Sequence, residues 1–166
     1  MKKVIEIKPP QPRLASALPP AEEDLRSHVC VSVWIARERI GAALEELLRD
    51  SVTQWKRGIK PSSLVEAIQS AKSVVYLLRG ARVMLDIVQQ EDVRRSLRDL
   101  MILGDKAISA ASTCLAHIEQ AGVENEQRHW TYASRSRDDA KNAIHVWLRA
   151  ICEEFPEGLE QAESEG

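Results

Sequence analysis

Residues 62–88 read SSLVEAIQSAKSVVYLLRGARVMLDIV, and this stretch decides the fold. At helical spacing Leu64, Ile68, Ala71, Val75, Leu78 and Leu85 form one apolar row. Val74, Leu77, Ala81, Met84 and Val88 form a second row beside it. Two adjacent rows make a sector wider than a single amphipathic stripe, so this helix is expected to touch neighbours on more than one side. Lys72, Arg79, Arg82 and Asp86 interrupt the apolar runs, and the segment is too short and too charged to span a bilayer. Pro61, Ser62 and Ser63 supply a helix-start signal, with Glu66 near the positive end of the helix dipole.

Outward from this centre, KRGIKPS at residues 56–62 reads as a loop, because Gly58 and Pro61 both break helices. Before it, a helix is expected from about Ala21 to Trp55. Val33, Ile40 and Leu47 recur every seven residues along it, flanked by Val29, Ala36, Ala43, Leu44 and Leu48. Its N-terminal half, VCVSVWIA at 29–36, is apolar nearly all round, which leaves Val31, Trp34 and Ile35 off the main stripe. That surplus predicts a covering partner: the N-terminal arm, another subunit or another protein. After the centre, Gln89 to Asp92 contains no Gly or Pro. A third helix is expected over Val93–Gln120 if the chain breaks there, and one long bent helix pair if it does not. Gly104, Ala107 and Ala111 lie on its apolar face, where they would admit a neighbouring backbone. Gly122 is read as its C-terminal cap. A fourth helix is expected from Glu124 to Phe155, with Arg137 falling on its apolar face, where it needs a partner.

The bundle so defined spans 21–155, and short connections imply an all-α, antiparallel up-and-down four-helix bundle. Residues 1–20 hold Pro9, Pro10, Pro12, Pro19 and Pro20, and read as an extended arm that would suit docking. Residues 156–166 read as an acidic, disordered tail.

Composition narrows function by exclusion. The 23 basic and 25 acidic residues are interspersed, which argues against wholesale binding to nucleic acid or an anionic membrane. Cys30, Cys114 and Cys152 form no C-x-x-C pair, and an odd number scattered over separate helices fits reduced thiols. The start MKKVIEIKPP lacks the apolar core of a secretion signal, so a cytoplasmic location is expected.

Catalytic patterns are sparse. Carboxylate-bridged metal pairs in bundles need two Glu-x-x-His motifs, and Glu126–His129 is the single instance. His28, His117, His129 and His145 include no pair at i, i+4, and no Cys/His cluster suits zinc. In size and helicity the chain resembles helical toxin-type ribonucleases, whose site is an Arg followed after four to six residues by His. Here seven residues separate Arg137 from His145. Leu115-Ala116-His117 is similar to the phosphoacceptor stretch of histidine phosphotransfer modules, but Gln120 stands where that family has Lys. No Gly-rich phosphate loop and no G-x-S-x-G occurs. Two basic groups remain, Arg94, Arg95 and Arg98, and Arg128, Arg135 and Arg137. The second is interleaved with His129, Trp130 and Tyr132, a mixture that could hold phosphates and stack bases.

The sequence therefore predicts a non-catalytic interaction module, with no cofactor and no metal. It would bind another protein or itself through Val31, Trp34, Ile35, Leu77 and Met84. Nucleic-acid binding through the two Arg groups and ribonuclease chemistry at Arg137 and His145 are the alternatives.

Overall fold

A computed structural model of the chain describes residues 22–49, 61–93 and 96–156. They form four helices: α1 (Glu22–Arg49), α2 (Pro61–Glu91), α3 (Arg98–Glu124) and α4 (Gln127–Glu154). No strand occurs among the described residues. The expected arm at 1–20, most of the tail at 156–166 and the expected end of the first helix at Trp55 lie outside them.

The helices pack in a ring: α1 on α2, α2 on α3, α3 on α4, and α4 back on α1 across the narrowest contact. Side-chain bonds set each register. Glu46 accepts from Ser70 and Arg39 donates to the Gly80 carbonyl, which runs α1 antiparallel to α2. Arg82 meets Asp105 near one end of α2 and α3, and Gly122 meets Leu64 near the other. Gly104 faces Trp147 while Cys114 faces Ala133, which makes α4 antiparallel to α3. The wide apolar sector of 62–88 is explained by this ring, because α2 is clasped on one side by α1 and on the other by α3.

The main core draws on all four helices, with Val33, Ile40, Leu78, Leu85, Ala107, Ile144 and Trp147 each at most 0% exposed. The described part of α1 reaches the level of Arg137. Beyond that point Ala67, Ala71, Cys114, Ile118 and Ala133 form a smaller cluster among α2, α3 and α4.

Three boundaries differ from the sequence reading. The break near residues 89–92 is real, but α2 continues to Glu91 and α3 begins at Arg98 rather than Val93. Val93 is 82% exposed, outside the apolar face assigned to it. Leu97 is the anchor instead: its side chain is 1% exposed and its backbone N–H donates to Gln89 Oε1 at 3.0 Å. α3 also runs through Gly122 to Glu124. The left-handed position that ends it is Asn125 (φ 51°), whose N–H donates to the Ala121 carbonyl and whose Oδ1 accepts from Trp130 Nε1. Gly122 is small for another reason, since a Cβ there would lie 2.8 Å from Leu64 Cδ2. Gly104 likewise admits a side chain, the Trp147 indole, rather than a neighbouring backbone.

Candidate interaction surface

The surplus apolar residues of α1 fall on its outer side. Val31 is 53% and Trp34 43% exposed, and Ile35 is half-buried. Arg39 and Glu46 mark the side of α1 that meets α2. At 100° per residue Ile35 and then Val31 follow them outward, with Trp34 beyond. Extending the α1–α2 register past Arg39 and Gly80 sets Ile35 roughly level with Met84, and Val31 with Ile87.

On α2 the same edge carries Met84 and Ile87, both half-buried, and the exposed Val83. Met84 also rests on the main core, as does Leu77. Leu77 sits two turns away, beyond the point where the Arg39 side chain crosses Gly80. Five of the apolar residues (Val31, Ile35, Val83, Met84, Ile87) thus make a strip across the α1–α2 seam, with Trp34 at its α1 margin. Val83 and Ile87 were missed in the sequence. Their signal was present, since both lie off the two core rows of α2, but only the register sets them level with Val31 and Ile35.

Among the described residues, Arg98 is not brought together with Arg128 and Arg135. Arg98 opens α3, at the end of the bundle where α4 finishes, whereas Arg128 and Arg135 lie in the first turns of α4 at the other end. Arg94 and Arg95 lie outside the described residues. Arg128 is held by Glu126 at 3.0 Å and Glu124 at 3.8 Å. Arg137 finds the partner its position demands. Its Nε and Nη2 donate to the Leu47 carbonyl of α1 at 3.2 and 2.8 Å. His145 is exposed and lies about 12 Å further along α4.

Glu124, Glu126 and His129 gather at the α3–α4 turn, with their potential ligand atoms within 4.8 Å of one another. His129 Nε2 bonds Glu124 and lies 3.6 Å from Glu126. The hydrogen bond from His129 holds the Glu124 carboxyl below its ordinary value, with Gln120 and Arg128 acting in the same direction. The guanidinium of Arg128 and the positive start of α4 already neutralise these carboxylates, so the cluster acts as a clasp between helices. Cys114 is buried beside Ala133, and burial pushes its thiol up to about 11. His117 stacks at a tilt, 5.7 Å from the Tyr132 ring.

No helix among the described residues is long and apolar enough to cross a membrane. Comparison of the chain with family models, with curated proteins and with solved structures returns no match. The geometry of the α1–α2 strip is the feature from which a function can be argued.

Proposed function

We propose that this chain is a non-catalytic protein–protein interaction module, an adaptor, accessory subunit or regulator in the cytoplasm, that docks an apolar helix through the strip on α1 and α2. The observation that carries the reading is the exposure of Val31 and Trp34 on α1 together with that of Val83 on the adjoining edge of α2. Branched side chains that stay in water across two adjacent helices offer a shallow seam for the apolar face of a third. A second copy of the chain is the first partner to test, because it needs no outside component.

The competing readings have less support. Nucleic-acid binding would draw on arginines that lie at opposite ends of the bundle, with Arg128 paired to carboxylates. A ribonuclease would need an Arg137 guanidinium that is instead engaged by the Leu47 carbonyl.

Light scattering on a size-exclusion column tests the proposal. Wild type should rise with concentration from 18.6 kDa toward twice that mass, while Val31→Glu/Ile35→Glu stays at one chain with unchanged helicity. Identical masses for the two proteins at every concentration would refute it.

A further inference from the structure

Two of the three cysteines come level across the seam between α1 and α4, the narrowest contact of the ring. We propose that Cys30 of α1 and Cys152 of α4 form a reversible disulfide when a hydroperoxide is present, and that this bond clamps α1 onto α4. The inference is independent of the docking strip.

Two routes around the ring set the pair level. The direct one starts from the bond between Arg137 and the Leu47 carbonyl. Cys30 lies seventeen residues before Leu47 and Glu154 seventeen after Arg137, so in antiparallel helices Cys30 and Glu154 are level. The other route passes through α2 and α3. Cys30 lies nine residues before Arg39, and Gln89 nine after Gly80, to which Arg39 donates. Gln89 in turn accepts from the Leu97 N–H at the head of α3. Leu97 lies seven residues before Gly104, and Glu154 seven after Trp147, the ring that Gly104 faces. Both routes end on Glu154, and Cys152 is about 3 Å from it along the helix axis.

Both side chains also lie on the flanks that share this seam. Cys30, Arg37 and Leu44 recur every seven residues on the side of α1 opposite Arg39 and Glu46, which face α2. α4 is the neighbour on that side, and Cys30 is 6% exposed there. On α4, Cys152 lies about 60° around the helix from Arg137, on the flank away from α3. Leu148, between those two directions, packs on the main core. Packed helix axes stand about 8–10 Å apart. Level side chains on facing flanks therefore approach the Cβ separation of about 3.5–4.5 Å that a disulfide needs. Cys114 is too far away to compete, because it packs with Ala67, Ala71, Ile118 and Ala133 beyond the level of Arg137.

Exposure assigns the order of events, since Cys152 is half-buried and Cys30 buried. The Cys152 thiolate attacks one oxygen of hydrogen peroxide, the O–O bond breaks, and the first water leaves a sulfenic acid behind. The Cys30 sulfur then attacks the Cys152 sulfur, the S–O bond breaks, and the second water leaves. Two thiols lose two electrons and two protons in all, and the peroxide takes up both. Thiol exchange in a reducing compartment restores the pair, the behaviour of transient, redox-sensing disulfides.

The test uses the full-length chain. It is treated with hydrogen peroxide, denatured, blocked with N-ethylmaleimide and mapped by mass spectrometry without reduction. A peptide joining Cys30 to Cys152 should appear, in a whole chain about 2 Da lighter, and dithiothreitol should reverse it. Its yield should be independent of protein concentration, should survive Cys114→Ser and should vanish in Cys152→Ser. The oxidised chain should unfold at a urea concentration higher by about 1 M, because the bond closes a loop over nearly the whole bundle, and an unchanged midpoint removes the clamp. A linked species that grows with protein concentration, or a link to Cys114, overturns the inference. So does Cys152 carried on to sulfinic acid while Cys30 is recovered as its maleimide adduct. Diamide, which oxidises a thiol pair without a sulfenic acid, covers slow reaction with peroxide. If it too leaves both cysteines as maleimide adducts, the two sulfurs do not meet and the proposal fails.

Discussion

Replacing Gly104 by Ala sets two opposite effects against each other at one atom. In the interior of a helix Ala is favoured over Gly by about 1 kcal/mol, because Gly gives up more backbone freedom on folding. Against this, a Cβ at Gly104 would lie 2.6, 2.9 and 3.1 Å from Cζ2, Cε2 and Cη2 of Trp147. Carbon atoms rest at about 3.5–4.0 Å, so about 1 Å of overlap must be relieved. The ring that must move is rigid and 0% exposed, in a core contributed by all four helices. Overpacking of this kind costs about 1–3 kcal/mol, and a rigid ring puts it in the upper part of that range. Gly104→Ala should therefore destabilise the fold by about 1–2 kcal/mol net of the helix gain.

Two further variants isolate the cause. Gly41 has nothing within 4 Å of the corresponding position, so Gly41→Ala should show the helix gain alone, about 0.5–1 kcal/mol of stabilisation. Trp147→Phe removes the atoms that Gly104 confronts. It also removes a buried indole N–H that has no hydrogen-bond partner, offsetting part of the lost packing. In that background Gly104→Ala should reverse sign and stabilise, giving a coupling of about 2–3 kcal/mol between the two positions. Urea unfolding followed by helical circular dichroism measures all four proteins. The close approach of α3 to the indole is refuted if Gly104→Ala stabilises wild type as Gly41→Ala does, or if its cost is the same with Phe at position 147.

Arg137→Met keeps the aliphatic stem but leaves the Leu47 carbonyl to water. Charged hydrogen bonds contribute about 1.5–3 kcal/mol when shielded, and this half-open site should lose about 1–2 kcal/mol. Amide exchange should accelerate in α1 around Leu47 more than in α2, and uniform acceleration would show that Arg137 does not hold that segment. At the α3–α4 turn, the Glu124 carboxyl is held below its ordinary value of 4.5, first by its bond to His129. A depressed folded-state value contributes stability that is present above pH 4.5 and is lost as pH falls through the lower folded value. Thermal midpoints of wild type should thus drop more steeply than those of Glu124→Gln below about pH 4.5, and parallel acid limbs would count against the clasp.

Sequence alone determined that this chain is helical and where most of its core lies. Most of the apolar rows of 62–88, the heptad Val33–Ile40–Leu47 and the face Ala140–Ile144–Trp147–Ile151 became buried, with Leu64, Ile68, Leu77 and Met84 left half-buried, because helix periodicity is a property of one segment and needs no knowledge of its neighbours. Ends and partners were less legible. Gly122 looks like a cap in one dimension, yet it lies inside α3 against Leu64 of α2, and the capping task falls to Asn125. Val93 fits the periodic face of α3, but Leu97 and Gln89 start that helix five residues later. The sequence demanded a partner for Arg137 without being able to name a backbone carbonyl 90 positions away. The strip on α1 and α2 followed the same division. Composition marked Val31, Trp34 and Ile35 as surplus, whereas only the antiparallel register sets Val83, Met84 and Ile87 beside them. Periodicity assigns each side chain to a face of its own helix; which faces share a seam is decided by packing between helices that are distant in the chain.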